Sequence, residues 1–371
     1  MKKVLFVATV VKTHIMEFHI PYLQMFKEMG WDTTVASRND YENPVDCKIP
    51  FCDHYFDVPF GRNPLKLVNI QAYKRLKRIV EKGKYDIIHC HTPVGAALTR
   101  IAASKSRKKG TRIIYTAHGF HFYTGSPALN WMIYYPVEKW LAKYTDVLIT
   151  INKEDYIRAK TKFSTGKIEY VPGVGIDTSK FAPSAINDEI RKEVLGEFNI
   201  PDNATVLLSV GEVNKNKNHR IVIEALPQLS NCWYVICGRG PLIKEYQQLA
   251  KKLSVENRLV LAGYRTDVDR FYRAADVFVF PSWREGLPVS VMEAMASGLP
   301  VACTKIRGSA DLVKDGINGF YFKPNDRNSV VDAIERILRN YKSIADVNVV
   351  KSEEFEIEKI KSIMWKIYQQ A

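Results

Sequence analysis

Two doubly wound α/β domains are the fold class that this sequence predicts, and three observations predict it. At 371 residues the chain exceeds one ordinary hydrophobic core, and length alone calls for about two domains. Short apolar runs alternate with amphipathic segments along most of the chain, the pattern of buried parallel strands joined by crossover helices. The stretch Ala275 to Thr304 then writes one such unit out in full: apolar Val277 to Phe280, a polar loop, a helix opened by Pro288 and stopped at Gly298, and a second apolar run from Pro300. Proline at a helix start lacks only an N–H that would be orphaned anyway, and glycine past its end tolerates the left-handed cap. The loop lies at the carboxyl end of a strand, where open α/β sheets bind ligands and where free helix N–H groups favour phosphate.

In chain order, Val4–Val10 reads as a buried strand, Ile20–Met29 as an amphipathic helix stopped by Gly30, and Asp32–Ala36 as the second strand. Asn63-Pro64 is expected to cap a helix whose apolar positions Leu67, Ile70, Tyr73, Leu76 and Val80 recur at three and four until Gly83. Strands at Tyr85–His91, Arg112–Ala117 and Asp146–Ile151 alternate with helical patterns at Val94–Ser104 and Ala128–Lys143. After a strand at Ile168–Val171, proline and glycine accumulate in VPGVGIDTSKFAP, which marks the domain boundary. The first domain is therefore 1–178, a short helical linker 179–202, and the second domain 203–351. Strands are expected in the second domain at Thr205–Val210, Trp233–Cys237, Arg258–Leu261, Val277–Phe280 and Pro300–Cys303, with a helix at Asn328–Tyr341 and a helical tail at 352–371. The cleft between two such domains is the default ligand site.

Composition excludes several classes. Hydrophobic residues at 46% and charged residues at 25% are those of a soluble globular protein. No apolar run approaches the roughly 18 residues of a membrane span, and the opening MKKVLFVATVVK reads as a strand rather than a signal peptide. The six cysteines form no CxxC pair and read as reduced thiols of a cytoplasmic protein. Net charge is +14, and residues 1–178 hold 27 Lys/Arg against 16 Asp/Glu. The excess gathers in Arg62–Lys84 and Arg100–Arg112, as expected of a surface that meets an anionic membrane leaflet. No aromatic interleaving or binding motif accompanies it, so no nucleic-acid partner is expected.

The candidate site residues follow from the strand ends. Glu285 in the loop and Glu293 inside the following helix put two carboxylates beside an anion site, which suits a ligand carrying hydroxyls as well as phosphates; a nucleotide sugar fits. The loop GEVNKNKNH opens with Gly211 at a strand end, and Lys217, with Lys215 in reserve, supplies positive charge for phosphate. Gly238-Arg239-Gly240-Pro241 is a ligand-facing turn without the third glycine of a dinucleotide fingerprint. In TAHGFHF, a histidine followed by glycine can bring its ring close to a ligand. His89 and His91 share one face of a strand, but a metal needs further ligands that the sequence does not dictate, so no metal is expected. Asp267 and Asp269 imitate a metal-binding DxD and read as N-capping acids.

The stretch PSWREGLPVSVMEAMASGLPV resembles the retaining family 4 glycosyltransferases of the GT-B fold, and TAHGFHF, YTDVLITINKEDY, VPGVGIDTSKF, GEVNKNKNH and DGINGF follow the family's order across nearly the whole chain. The resemblance implies a GT-B architecture, two Rossmann-like domains facing a cleft, with the last helix crossing back to the first domain. It assigns Glu285 to the transferred sugar, Glu293 to the ribose hydroxyls, and His118, rather than His121, to the donor sugar and β-phosphate. Gly286, Leu287 and Pro288 would border the donor, and Tyr264 and Arg265 the base. Thr13 and His14 stand where many relatives carry a Gly-Gly turn, and with His19 they would line the acceptor side. Glu212 stands where the family has an arginine, so Lys217 is left as the main cation on the diphosphate. The implied reaction is transfer of a hexose or N-acetylhexosamine from a UDP-sugar to a polyprenyl-diphosphate-linked saccharide, with retention, without a metal or other cofactor, at the inner face of the plasma membrane, as in capsule or exopolysaccharide synthesis. A UDP-sugar 2-epimerase of the same fold, a soluble storage-glucan synthase and a basic nucleic-acid-binding protein are the alternatives.

Overall fold

The computed structural model describes residues 1–183 and 187–370 and divides into two compact units, Met1–Val174 with Ile360–Ala371, and Gly175–Lys359. The first unit carries β1 (Lys3–Val10), β2 (Asp32–Arg38), β3 (His54–Asp57), β4 (Ile87–His91), β5 (Arg112–Ala117), β6 (Val147–Thr150) and β7 (Lys167–Tyr170) in the spatial order β3-β2-β1-β4-β5-β6-β7. Every neighbouring pair is parallel. β1 is central because Val4 to Ala8 are all buried, which a strand covered by helices on both faces requires. One apolar layer gathers Leu5, Val7, Leu76, Ile113 and Phe122, and the opposite layer Val4, Phe6, Leu23 and Phe26. Strand order reverses between β1 and β4, so the crevice of this sheet opens at their carboxyl ends.

The second layer is completed from the far end of the chain. Helix Ile357–Gln370 presents Ile360, Met364, Ile367 and Tyr368, spaced for one helical face, to the layer around Phe6 and Phe26. Residues 341–356, partly expected within one tail helix, instead form a separate helix, Tyr341–Ser352, and a short turn. The helix expected at Asn63-Pro64 begins later, at Val68. Asn63 Oδ1 accepts the Leu65 N–H at 3.0 Å, and the Asn69 amide donates to the Asn63 carbonyl at 2.9 Å, so this stretch is a braced turn that hands over to the helix. β3 escaped the sequence reading because it is an edge strand with its residues largely exposed, leaving no apolar signature.

The second unit repeats the plan with β8 (Thr205–Val210), β9 (Cys232–Cys237), β10 (Leu259–Gly263), β11 (Val277–Phe280), β12 (Val301–Thr304) and β13 (Gly319–Phe322), all parallel, in the order β10-β9-β8-β11-β12-β13. Residues 179–183 and 187–202 lie within this unit, where Arg191 donates to the Ala204 carbonyl at 2.9 Å and to Asp276 at 3.1 Å. Pro288 is the extended residue just before the helix Val289–Ala296, not its first helical residue, and Gly298 takes φ 73° after its end. β13 begins with glycine and has four residues, too short for a periodic signal. All six cysteines are free thiols, Cys47 and Cys52 half-buried outside the strands and the other four buried within them.

Candidate active site

In the second unit the strand order reverses between β8 and β11, so the loops after these two strands face one crevice. They carry Lys217 and Glu285, and the structure brings the two together: Lys217 Nζ lies 2.8 Å from Glu285 Oε1 and 5.2 Å from the centre of the Phe280 ring. Two residues that sequence reasoning passed over fix this loop. Asn216 donates to Glu285 Oε1 at 3.3 Å and to the Arg284 carbonyl at 3.0 Å, and Arg307 Nε donates to the Glu285 carbonyl at 3.0 Å. Arg307 follows β12 by three residues, so the strand-end rule that found Lys217 was the signal available for it. A Cβ on Gly308 would collide with the Gly286 carbonyl, which shows how tightly this turn supports the Glu285 loop. Glu293 is half-buried and accepts a hydrogen bond from the Tyr272 hydroxyl at 2.8 Å; burial raises the Tyr272 phenol well above its usual range, so it stays a donor. Leu287 is buried and Gly286 half-buried beside it.

A cavity of about 540 Å³ adjoins the ends of β8, β9 and β10, lined by Gly211, Glu212, Gly238, Gly240, Tyr264 and Arg265 among others. Gly211 adopts φ 152° and lets the Lys217 stem pass beside it. Gly238 and Gly240 are glycines for a local reason: a Cβ at either would collide with the carbonyl of Gly211 or Val213, where the loops after β8 and β9 cross. Tyr264 is exposed, with the Arg239 guanidinium 5.5 Å from its ring centre. Arg265 is no free cation. It is clamped by Asp267 at 2.8 Å and Glu197 at 2.7 Å, and these hydrogen bonds raise its pKa further. Asp267 therefore precedes the helix Val268–Ala274 without a side-chain capping bond, and Asp269 pairs with Arg273 at 3.3 Å, so neither acts as the expected N-cap acceptor. Lys215 and Glu212 are exposed, with Asn214 donating to Glu212 at 2.6 Å.

In the first unit the chain leaves β1 through a π-type turn, Val11–Ile15, and leaves β4 at Thr92, a non-glycine residue at φ 63°. Thr13 and His14 line a cavity of about 460 Å³ with Arg62, Asn69, His121 and Glu138. Thr13 Oγ1 donates to Asp40 at 3.3 Å. His19, expected on the same surface, does not line that cavity; its ring is buried against Phe6, Tyr22 and His91. The two histidines of β4 also part company. His89 is a satisfied core residue, bonded through Nδ1 to Tyr368 Oη at 2.7 Å and through Nε2 to Thr116 Oγ1 at 2.8 Å. His91 joins His14, His19 and His118 in one cluster, with His118 Nε2 and His91 Nδ1 sharing a hydrogen bond of 3.3 Å. Burial holds His14, His19 and His91 well below the usual imidazole range and brings His118 down to about 4. His121 instead stacks on Tyr134 at 4.6 Å between ring centres.

The basic segment Arg100–Arg112 is less exposed than its composition implied. Arg100 is fully buried, bonded to Glu138 at 2.9 Å and lying 4.1 Å from the Tyr115 ring centre, and Arg107 pairs with Asp146 at 2.9 Å. Lys105, Lys108 and Lys109 remain exposed, as do Arg62, Lys66, Lys74, Arg75 and Arg78. Between them stand bare apolar side chains, Leu65, Leu67 and Ile70 before and within the helix Val68–Gly83, and Leu129, Met132 and Ile133 on the helix Ala128–Ala142.

Two parallel Rossmann-like units, each with polar or glycine-lined loops at its strand ends, define a doubly wound α/β architecture that binds ligands at strand ends, and comparison with known proteins gives the family. The chain belongs to the glycosyltransferases of the GT-B type: residues 190–349 match the family of glycosyl transferases group 1, and residues 3–152 match the glycosyl transferase 4-like family. EpsD of Bacillus subtilis (strain 168), a glycosyltransferase by its assigned name, is 41% identical over 341 residues, 91% of this chain and 87% of the relative. The UDP-Gal:alpha-D-GlcNAc-diphosphoundecaprenol alpha-1,3-galactosyltransferase of Escherichia coli is 31% identical over 293 residues, 76% of this chain and 74% of the relative. Among solved structures, Anabaena HepE in complex with UDP and glucose superposes with a TM-score of 0.81 over 100% of both chains at 18% identity, a likeness of fold.

Proposed function

We propose that this glycosyltransferase moves a hexose or N-acetylhexosamine from a UDP-sugar to a saccharide carried on polyprenyl diphosphate, with retention at the anomeric carbon. The observation that carries the reading is the Lys217–Glu285 pair at the β8/β11 crevice, a cation for the departing diphosphate held against a carboxylate for the sugar hydroxyls. The cavity beside it offers Tyr264 and Arg239 as an aromatic and guanidinium surface for the base, and Glu293, oriented by Tyr272, accepts from the ribose hydroxyls. The first-turn amides of the helix Val289–Ala296 add positive potential for the diphosphate, so that no metal is required there. No side chain is assigned as a covalent nucleophile. The departing diphosphate accepts the acceptor proton on the face it leaves, and the protein contributes position and charge. His118 contacts the transferred sugar in this reading.

The acceptor class draws support from the galactosyltransferase relative, whose name states a diphosphoundecaprenol-linked GlcNAc acceptor. It also draws support from the first unit, where Arg62, Pro64 and Ile133 line the cavity with Thr13 and His14, and their chain neighbours Leu65 and Met132 are exposed apolar side chains. No helix among the described residues is long and apolar enough to cross a membrane, and these side chains suit peripheral contact with an anionic cytoplasmic leaflet instead.

Calorimetry of the purified protein against UDP, GDP and ADP without divalent metal tests the donor assignment. Selective UDP binding, weakened at least about tenfold by Lys217→Ala and by Glu293→Ala, is the expected result. Equal affinity for all three nucleotides, or UDP binding that needs added metal, would overturn it.

A further inference from the structure

We infer that His14, His19, His91 and His118 form a binding site for one divalent transition-metal ion of the zinc class, held by imidazole nitrogens alone. The four side chains come from four segments: the π-type turn after β1, the residue before helix Ile20–Glu28, the last residue of β4 and the residue after β5. One nitrogen from each lies within 4.8 Å of the others. A tetrahedral zinc site with Zn–N of about 2.0–2.1 Å separates its nitrogens by roughly 3.3 Å. The His118 Nε2 to His91 Nδ1 distance is already 3.3 Å.

Two further observations point to a ligand rather than to a packed core. Buried polar atoms are nearly always hydrogen-bonded, yet His14 Nε2, both ring nitrogens of His19 and His91 Nε2 are buried without a partner. A small void of about 20 Å³ lies against His19, His91 and His118, room for one water or one ion. An all-imidazole set favours zinc, copper or nickel over magnesium or calcium, which prefer oxygen. His89 is not part of the set, since both its nitrogens already have partners. Because His19 has no outer hydrogen bond to brace it, the ion is held reversibly and leaves with a chelator.

The inference stands apart from the transfer reading except at His118, which that reading also places on the donor sugar, so its readouts are metal uptake and spectrum rather than turnover. Its test uses the untagged full chain, stripped with a chelator and titrated with Co²⁺ and then Zn²⁺. The expected result is one equivalent of metal per chain by elemental analysis, a visible Co²⁺ spectrum of a four-coordinate nitrogen site, displacement by Zn²⁺, and a rise in Tm on the order of 5 °C at saturating Zn²⁺. His14→Gln, whose ring borders the open cavity and is the least disruptive to remove, lowers affinity at least about tenfold, and His121→Gln leaves the stoichiometry at one. Failure of the wild-type chain to take up stoichiometric metal would overturn the site, as would a sulfur-ligated Co²⁺ spectrum or unchanged affinity in folded His14→Gln.

Discussion

At the residue scale, the site turns on how Lys217 and Glu285 hold one another. Each is half-buried and each is the other's counter-ion, so in the proposed reaction a bound diphosphate would compete with Glu285 for Lys217. Glu285→Ala is expected to lower kcat by on the order of 10²–10³, as removal of one preorganised transition-state contact does, in a steady-state assay with a saturating donor. Near-full turnover in that variant would remove Glu285 from the reaction. A second residue-level expectation concerns His219, buried between Tyr234 Oη at 2.8 Å and the Glu212 carbonyl at 3.2 Å. Burial lowers its pKa to about 4 from the usual 6.5, so the unfolded chain binds its proton first as pH falls. The stability it contributes is complete above pH 6.5 and is lost between there and about pH 4, on the order of 3 kcal/mol. Urea melts at pH 7 and pH 4 show this as a larger loss in the wild type than in His219→Gln; equal losses would refute it. Lys217 and Glu285 lie in strand-end loops and Glu293 in the helix that follows, so strand-end position and motif order single them out as candidates in the sequence. Arg307 and Asn216 were not legible there, since their roles depend on which loops meet. The histidine cluster was hidden for the same reason: His14 and His118 are far apart in sequence, and only the folded sheet makes them neighbours.

At the scale of elements, the strands and crossover helices were mostly legible, because burial on both faces imposes long apolar runs. The exceptions are β3, whose residues are largely exposed, and β13, which is largely buried but opens with glycine and has only four residues. The tail was legible as helix but not in its division, since the break at Glu353–Glu356 separates two helices of similar composition. Tyr368 closes the first unit's core and bonds His89, so Tyr368→Phe leaves a buried imidazole nitrogen unpaired and is expected to cost about 1–3 kcal/mol in a denaturant melt. The glycines of the β8 and β9 loops make a second expectation. Gly238→Ala drives a methyl into the Gly211 carbonyl and lowers stability by about 1–3 kcal/mol while displacing the loop that carries Lys217, so nucleotide affinity falls with it. A variant as stable as the wild type would contradict the crossing described here.

At the scale of the whole molecule, two switch points do separate work. In the second unit the crevice between β8 and β11 gathers the charges suited to a nucleotide sugar, and in the first unit the crevice between β1 and β4 gathers histidines beside an apolar-rimmed cavity. The sequence's charge asymmetry pointed to the first unit as the membrane-facing one, but composition overcounted the basic surface, because Arg100 is buried and Arg107 is paired. The exposed leucines and methionine, invisible to a charge count, add apolar contact to what remains. Sedimentation with vesicles is expected to show preference for anionic over neutral lipid and a loss of binding in Leu67→Ser with Met132→Ser; equal binding to both lipids would refute a leaflet-facing surface.

The measurement that bears most directly on the central claim is acceptor-dependent transfer, followed by mass spectrometry and by NMR of the new anomeric centre, with a panel of UDP-sugars and a polyprenyl-diphosphate-linked GlcNAc acceptor. The expected result is one glycosyl unit added to the acceptor with the donor's anomeric configuration kept, and loss of product in Glu285→Ala. Consumption of donor without acceptor, or a product of inverted configuration, would contradict it.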